Sequence, residues 1–213
     1  MACGLERLNQ VCLIIAIFYN YFLLYFGSII WIFILLTMRT KQENLELFKK
    51  YFAPYEIVSY YLWKSFTNKD DIYKLFDDRL IAHMVYLRVD CFKHSITIND
   101  WYKYINQLLQ GKTVKQLEKE LKIEIYEFRG YREPECLEGA KFSAHRPDPV
   151  TKQCKAFDFQ IEGYSAEDVR DLMDNRFIKD LRYPIRIEDN VSWNHHDVKE
   201  GKNKSKKINY FTV

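Results

Sequence analysis

The spacing of apolar residues changes character near residue 95, and that change limits the chain to one class of fold. Upstream, residues 70–89 (DDIYKLFDDRLIAHMVYLRV) carry Ile72, Leu75, Phe76, Leu80, Met84 and Leu87 at roughly helical spacing, which predicts an amphipathic helix packed on a core. Residues 43–66 mix helical periodicity with Pro54, so two short helices meeting near Ala53 are expected. Downstream, SITIN (95–99) alternates like a strand, and KAFDFQIEG (155–163) reads as a strand ending at a glycine. PIRIED (184–189) and SWNHHDV (192–198) add two short strands, and IYEF (125–128) is a further candidate. Between them, Asp100 to Gln110 fits a loop or short helix, and TVKQLEKELKIE is helical in character. Ser165 and Asp168 match a capping box ahead of an apolar stripe of Val169, Leu172 and Met173. Short antiparallel strands with helices on one side make an α+β domain with a small antiparallel sheet.

The N-terminal region is of another kind. From Val11 to Thr37 no residue is charged, a run longer than the ~20 residues needed to cross a hydrocarbon core. It exceeds a typical signal-peptide apolar region and lacks a clear small-x-small cleavage site, so one hydrophobic helix acting as a membrane anchor is expected. Its flanks orient it poorly: Glu6 and Arg7 nearly cancel, while Arg39 and Lys41 favour a cytoplasmic C-terminal side. Met38 also opens MRTKQENLELFKKYF, which reads as an ordinary soluble start, so Met38 is an alternative first residue. The expected organisation is an anchor segment at 1–40, a helical part at 41–90, a strand-bearing core at 91–200 and a solvated, flexible basic tail at 201–213.

Composition excludes several classes. With 48% apolar and 29% charged residues the chain is neither disordered nor collagen-like, and a net charge of +3 does not argue for nucleic acid. The five cysteines form no CxxC, and three of them, an odd number, lie beyond the apolar run. A disulfide framework is therefore not expected.

Chemistry concentrates in two places. Ser143-Ala144-His145 precedes a strand bearing Asp158, and Trp193-Asn194-His195-His196-Asp197 forms the second cluster. A catalytic zinc needs about three nitrogen or oxygen ligands and one open position, which two imidazoles and a carboxylate from separate segments satisfy. On a strand, Phe157 and Phe159 point opposite to Asp158. By spacing alone this is a weak signal, since a His and an Asp thirteen positions apart (145 to 158) occur in many proteins without a metal.

Taken in order, GYREPECLEGAKFSAH, KAFDF and SWNHHDV resemble the M15-type zinc D-alanyl-D-alanine/L,D-peptidase family, whose pattern includes SxHxxGxAxD and a later WxH. Ser143, His145, Ala156 and Asp158 match the first element, and Trp193 and His195 the second. ITINDWY (96–102) and RGYR (129–132) resemble segments that precede the motif in phage-type members, so the likeness covers roughly half the chain, from about Tyr86 to Val198. The resemblance implies a Hedgehog/DD-peptidase-like fold and a Zn²⁺ peptidase acting on the stem peptides of bacterial peptidoglycan. It implies His145, Asp158 and His195 as ligands, and Arg132 as the cation beside the substrate carbonyl or carboxylate. A phage lysis or wall-penetration enzyme is the expected setting, membrane-anchored if residues 1–37 are present and otherwise acting on the cell envelope from solution.

The departures matter. The family pattern spaces its His and Asp by seven positions rather than thirteen, so Arg146–Gln153 contains an apparent six-residue insertion. Its two prolines fit a rigid excursion that leaves the ligands in place. Cys154 stands where the family has glycine, either as a small buried residue or as a competing soft ligand. Many members carry ExxH, but Ser192 occupies that position here, and Glu188 is the expected catalytic base, its alternative being a surface charge at a turn. Ser143 and Asp197 are expected beside the ligands, with Asp197 steering an imidazole. His196 would face solvent or pack, and His83 and His94 read as ordinary helix and loop residues. The altered His–Asp loop and absent ExxH keep a second reading open, a catalytically inactive wall-binding or structural module of the same fold.

Overall fold

A computed structural model describes residues 39–137 and 143–212, so the apolar run at 11–37 and the alternative start at Met38 lie outside the described residues. Among the described residues no helix is long and apolar enough to cross a membrane. The chain from Lys41 onward forms one unit.

Its helical part is more broken than the apolar period predicts, and local capping explains each break. Helix α1 (Lys41–Tyr51) ends where Ala53 and Pro54 start α2 (Pro54–Ile57), Glu56 reaching back to the Ala53 amide at 2.6 Å. A third helix, α3 (Tyr60–Ser65), follows because the Ser59 hydroxyl accepts the Leu62 amide and so caps a new turn. The single helix expected over 70–89 is in fact a 3₁₀ stretch (Lys69–Leu75), a break, and α4 (Asp78–Val85), which runs on into a π-helical turn (Tyr86–Cys91). Phe76 leaves the helix to bridge Cys154, and Asp77 caps α4 by accepting the Arg79 amide at 2.9 Å. Two further short helices, α5 (Ile105–Leu109) and α6 (Val114–Leu121), lie between the first and second strands, and α7 (Ala166–Leu172) opens with the expected Ser165–Asp168 capping box.

Five strands, β1 (Ile96–Thr97), β2 (Ala156–Ile161), β3 (Ile185–Glu188), β4 (Asn194–Asp197) and β5 (Ile208–Phe211), form one sheet in the order β1-β2-β4-β3-β5. The expectation of a purely antiparallel sheet is corrected here, because β5 pairs with β3 in parallel. Both strands run antiparallel to β4, so a chain that turns back after β4 and passes over β3 arrives parallel to it without a crossover helix. The basic segment expected to be a flexible tail is that turn. Asn209 closes it, taking the Asn203 amide at 3.0 Å and donating to the Lys206 carbonyl. IYEF is not a strand, since side chains take the place of a ladder: Asp100 accepts the Tyr126 amide at 2.7 Å and Asn99 the Arg129 amide at 2.9 Å.

The sheet has two unlike faces. Alternation turns Phe157, Phe159, His196 and Ile187 to one side, where they meet α1 and α4. Phe157 stacks on Phe76 at 4.9 Å and on Phe48 at 6.1 Å. His83 is a helix residue as expected, on α4, but it is buried and its Nε2 lies 2.9 Å from His196 Nδ1. Burial pushes His83 down to about 3 and His196 well below its usual range, so both rings are neutral. The opposite side bears Asp158, His195, Asp197, Arg186 and Glu188. Phe157→Ala should cost on the order of 3–5 kcal/mol through the cavity it opens, read as a lower urea midpoint at unchanged slope.

Candidate metal centre

Asp158 on β2 and His195 on β4 are direct cross-strand partners. The Asp158 amide points away from β4 and donates to the Arg129 carbonyl at 2.7 Å, which makes the pair non-hydrogen-bonded in the ladder. Such pairs hold their side chains closest. His195 Nδ1 accordingly sits 2.6 Å from Asp158 Oδ1.

His145 enters from a turn rather than a strand. The Ser143 hydroxyl accepts the His145 amide at 3.3 Å, its carbonyl takes the Arg146 amide, and Arg132 N–H donates to the His145 carbonyl at 2.9 Å. Ser143 thus shapes the turn that presents His145. The apparent insertion leaves and rejoins at one point, where the Lys155 amide meets the Ala144 carbonyl at 2.9 Å. Inside it, Asp148 accepts the Val150 and Thr151 amides and the Lys155 ammonium at 2.7 Å, which closes the loop on itself.

The His145 ring is oriented by a backbone atom. Its Nδ1 lies 2.8 Å from the Gly130 carbonyl, an acceptor, so Nδ1 carries the proton and Nε2 presents its lone pair inward. Gly130 is required there by close approach, since a Cβ would stand 1.9 Å from the Ile57 carbonyl oxygen. His145 Nε2 is 3.2 Å from both Asp158 Oδ1 and His195 Nδ1.

His145, Asp158 and His195 therefore form a buried group that can hold a metal ion. Zinc bonds to nitrogen and oxygen are ~2.0–2.1 Å long, and corners of a tetrahedron of that size lie about 3.3 Å apart. Two edges of the observed triangle are close to this, and the third is shortened by the proton His195 shares with Asp158. The donor set fits zinc.

A further carboxylate backs His195. Its Nε2 lies 3.4 Å from Asp197 Oδ2, and Asp197, with no solvent exposure, receives a two-pronged contact from Arg186 at 2.8 and 2.6 Å and the Lys199 amide at 2.9 Å. Burial lowers the His195 pKa, but the hydrogen bonds and charges of Asp158 and Asp197 outweigh it and raise the ring to about 9. Burial would raise Asp158, yet His145 and His195 hold it well below the usual carboxylate range. His145, driven down by burial against the pull of Asp158, is neutral.

Glu188 shares this face. The β3–β4 register pairs Ile187 with His196, and its continuation sets Glu188 level with His195. Glu188 is buried, which raises its pKa above the ordinary carboxylate value, while His195 and a hydrogen bond from Trp193 pull the other way. Arg132 is anchored by Nε to the Phe128 carbonyl at 2.7 Å and by Nη2 to Asp158 Oδ2 at 3.1 Å, which leaves Oδ1 to the triangle. Cys154 stands apart from the ligand group, a fully buried thiol pushed up to about 12 by burial, with Sγ against the Ala144 and Ala156 carbonyls. It fills space between backbone segments. Of the remaining histidines, His94 is exposed and His196 packs on the far face.

Arg186 and Gly130 are the residues sequence reasoning missed. Arg186 had a readable signal, since alternation on IRIE puts it on the Glu188 face. Gly130 had none, because its role depends on Ile57, far away in the chain.

No protein-family profile matches this chain, and no curated protein or solved structure is significantly similar to it.

Two outcomes follow from the geometry. A metal on His195 Nδ1 must displace a proton below pH about 9, whereas neutral His145 gives up none. Zinc uptake near neutral pH should release about one proton, and affinity should rise about tenfold per pH unit until it levels near that pKa. Calorimetry in buffers of different ionisation enthalpy measures both. Arg186→Met removes the guanidinium that balances buried Asp197 and should weaken zinc binding by roughly 10–100-fold in competition with a chromogenic chelator.

Proposed function

We propose that this chain is a zinc-dependent peptidase that hydrolyses peptide bonds in the stem peptides of bacterial peptidoglycan. The observation that carries the reading is the triangle of His145 Nε2, Asp158 Oδ1 and His195 Nδ1. Glu188 on the same sheet face and Arg132 beside the Asp158 carboxylate complete the arrangement. The ordered motifs that resemble M15-type peptidases supply the substrate class, and with it a role in phage lysis or wall penetration.

When bound, zinc would polarise both a water molecule and the substrate carbonyl. Glu188 takes the proton from the attacking water, and its raised pKa suits a group that must accept a proton and then donate it. The same carboxyl passes that proton to the leaving amine as the peptide bond breaks. Arg132 stays charged throughout, and its fork supports the negative charge growing on the carbonyl oxygen. Ser143, Gly130, Asp197 and Arg186 hold the two imidazoles in place.

One observation favours the second reading, a wall-binding module without turnover. Arg132 is tied to Phe128 and Asp158, a structural engagement that competes with contact to substrate.

Mass spectrometry of purified peptidoglycan incubated with the full-length chain separates the two. New peptide fragments that vanish with a zinc chelator, and that fall by about 10²–10⁴-fold in Glu188→Gln, are the expected result. Tight binding to an unchanged wall would assign the chain to the binding module, and full turnover by Glu188→Gln would remove Glu188 as the base.

A further inference from the structure

A cavity of about 640 Å³ is linked to the metal centre through one short chain segment. Phe128 lines the cavity, and its carbonyl is the atom that anchors Arg132 Nε. Glu133, the residue after Arg132, lines it too and accepts the Ser59 hydroxyl at 3.2 Å. Tyr61, from α3, and Val114, at the start of α6, bring further apolar surface.

The charge of this cavity is out of balance. Among the described residues, Glu127, Glu133 and Glu135 line it against one cation, Lys115, on the exposed side of α6. Glu127 is only 7% exposed, and Oε1 accepts the Tyr60 amide at 3.2 Å. Among the described residues its other oxygen has no hydrogen-bond partner and no Lys or Arg pairs with it. A largely buried carboxylate that lines a cavity is placed to receive an external cation there. Burial raises Glu127 to about 7 despite the Tyr60 amide, with Glu133 and Glu118 adding to the rise. That is the behaviour of an acid short of positive charge.

We propose that this cavity binds an aliphatic side chain ending in a primary ammonium, with Glu127 and Glu133 receiving the charged end and Tyr61, Val114 and Phe128 lining the arm. The inference rests on the peptidase reading for its occupant, which is then the diamino-acid residue of the wall stem peptide. That residue offers a flexible methylene chain with a cationic tip, matched to apolar walls and an acidic end. Seated there, it would bear on the segment that also carries Arg132.

The test compares two stem-peptide analogues that differ only in lysine or norleucine at the diamino-acid position, each given to the zinc-loaded full-length chain. Lysine should be preferred by roughly 10–100-fold in kcat/KM, the worth of a charge-assisted hydrogen bond, with most of the difference in KM. Glu127→Gln should bring the two peptides' values together, and Glu133→Gln, on the same wall, should narrow them if the first variant fails to fold. Equal cleavage of both peptides by the unaltered chain would overturn the cavity's assignment and leave the peptidase reading standing. If neither peptide is cleaved, the peptidase reading fails and calorimetry with the same pair decides the cavity. Tighter binding of the lysine peptide, lost in the glutamate variants, would uphold the ammonium site, and equal or absent binding would overturn it.

Discussion

The 2.6 Å contact between His195 and Asp158 is the interaction around which the rest is arranged. It places an ionised carboxylate and an imidazole inside the protein, where charges are tolerated only when paired and hydrogen-bonded. Each neighbouring element answers part of that demand. The Arg129 carbonyl takes the Asp158 amide, Arg132 takes its outer oxygen, and His145 approaches the inner one. Behind His195, Asp197 brings a second negative charge, and Arg186 balances it. The result is a chain of alternating charges running across three adjacent strands, complete enough to be buried and open enough in ligand chemistry to accept a cation.

A sheet this small can bury such a network because its two faces divide the labour. Phe157, Phe159 and Ile187 point into the helical layer and supply the apolar contact that holds the strands, while their neighbours in sequence carry the chemistry. The separation is not perfect. His196 sits on the apolar side, bonded to His83, with its Nε2 left without a partner among the described residues. That pair costs stability that an apolar substitute would not, and burial keeps it neutral.

The cavity and the metal centre are joined by covalent continuity. Within residues 127–133, Glu127, Phe128 and Glu133 line the one, while Phe128, Gly130 and Arg132 orient the other. On the peptidase reading, a ligand that settles against Glu127 and Glu133 bears on the same short segment that holds His145 and Asp158. Recognition and chemistry would then share a single backbone element.

Much of this was legible in the residues themselves. The change of hydrophobic period near residue 95 declared an α+β fold. Alternation in KAFDFQ, IRIE and NHHD set Asp158, Glu188, His195 and Asp197 on their strand faces, because a strand's period of two leaves no choice once a face is apolar. Capping at Ser165 was equally local. Local pattern failed where distant segments had to meet. That β5 lies parallel to β3, that Phe76 leaves its helix for Cys154, and that IYEF is held by Asp100 and Asn99 are decided by which strand edges remain open after the core has closed. The meeting of His145 with Asp158 and His195 belongs to the same class. It depends on a Gly130 carbonyl pinned against Ile57, a contact with no period, spacing or composition to announce it, because it arises only when two remote backbones are packed closer than a side chain allows.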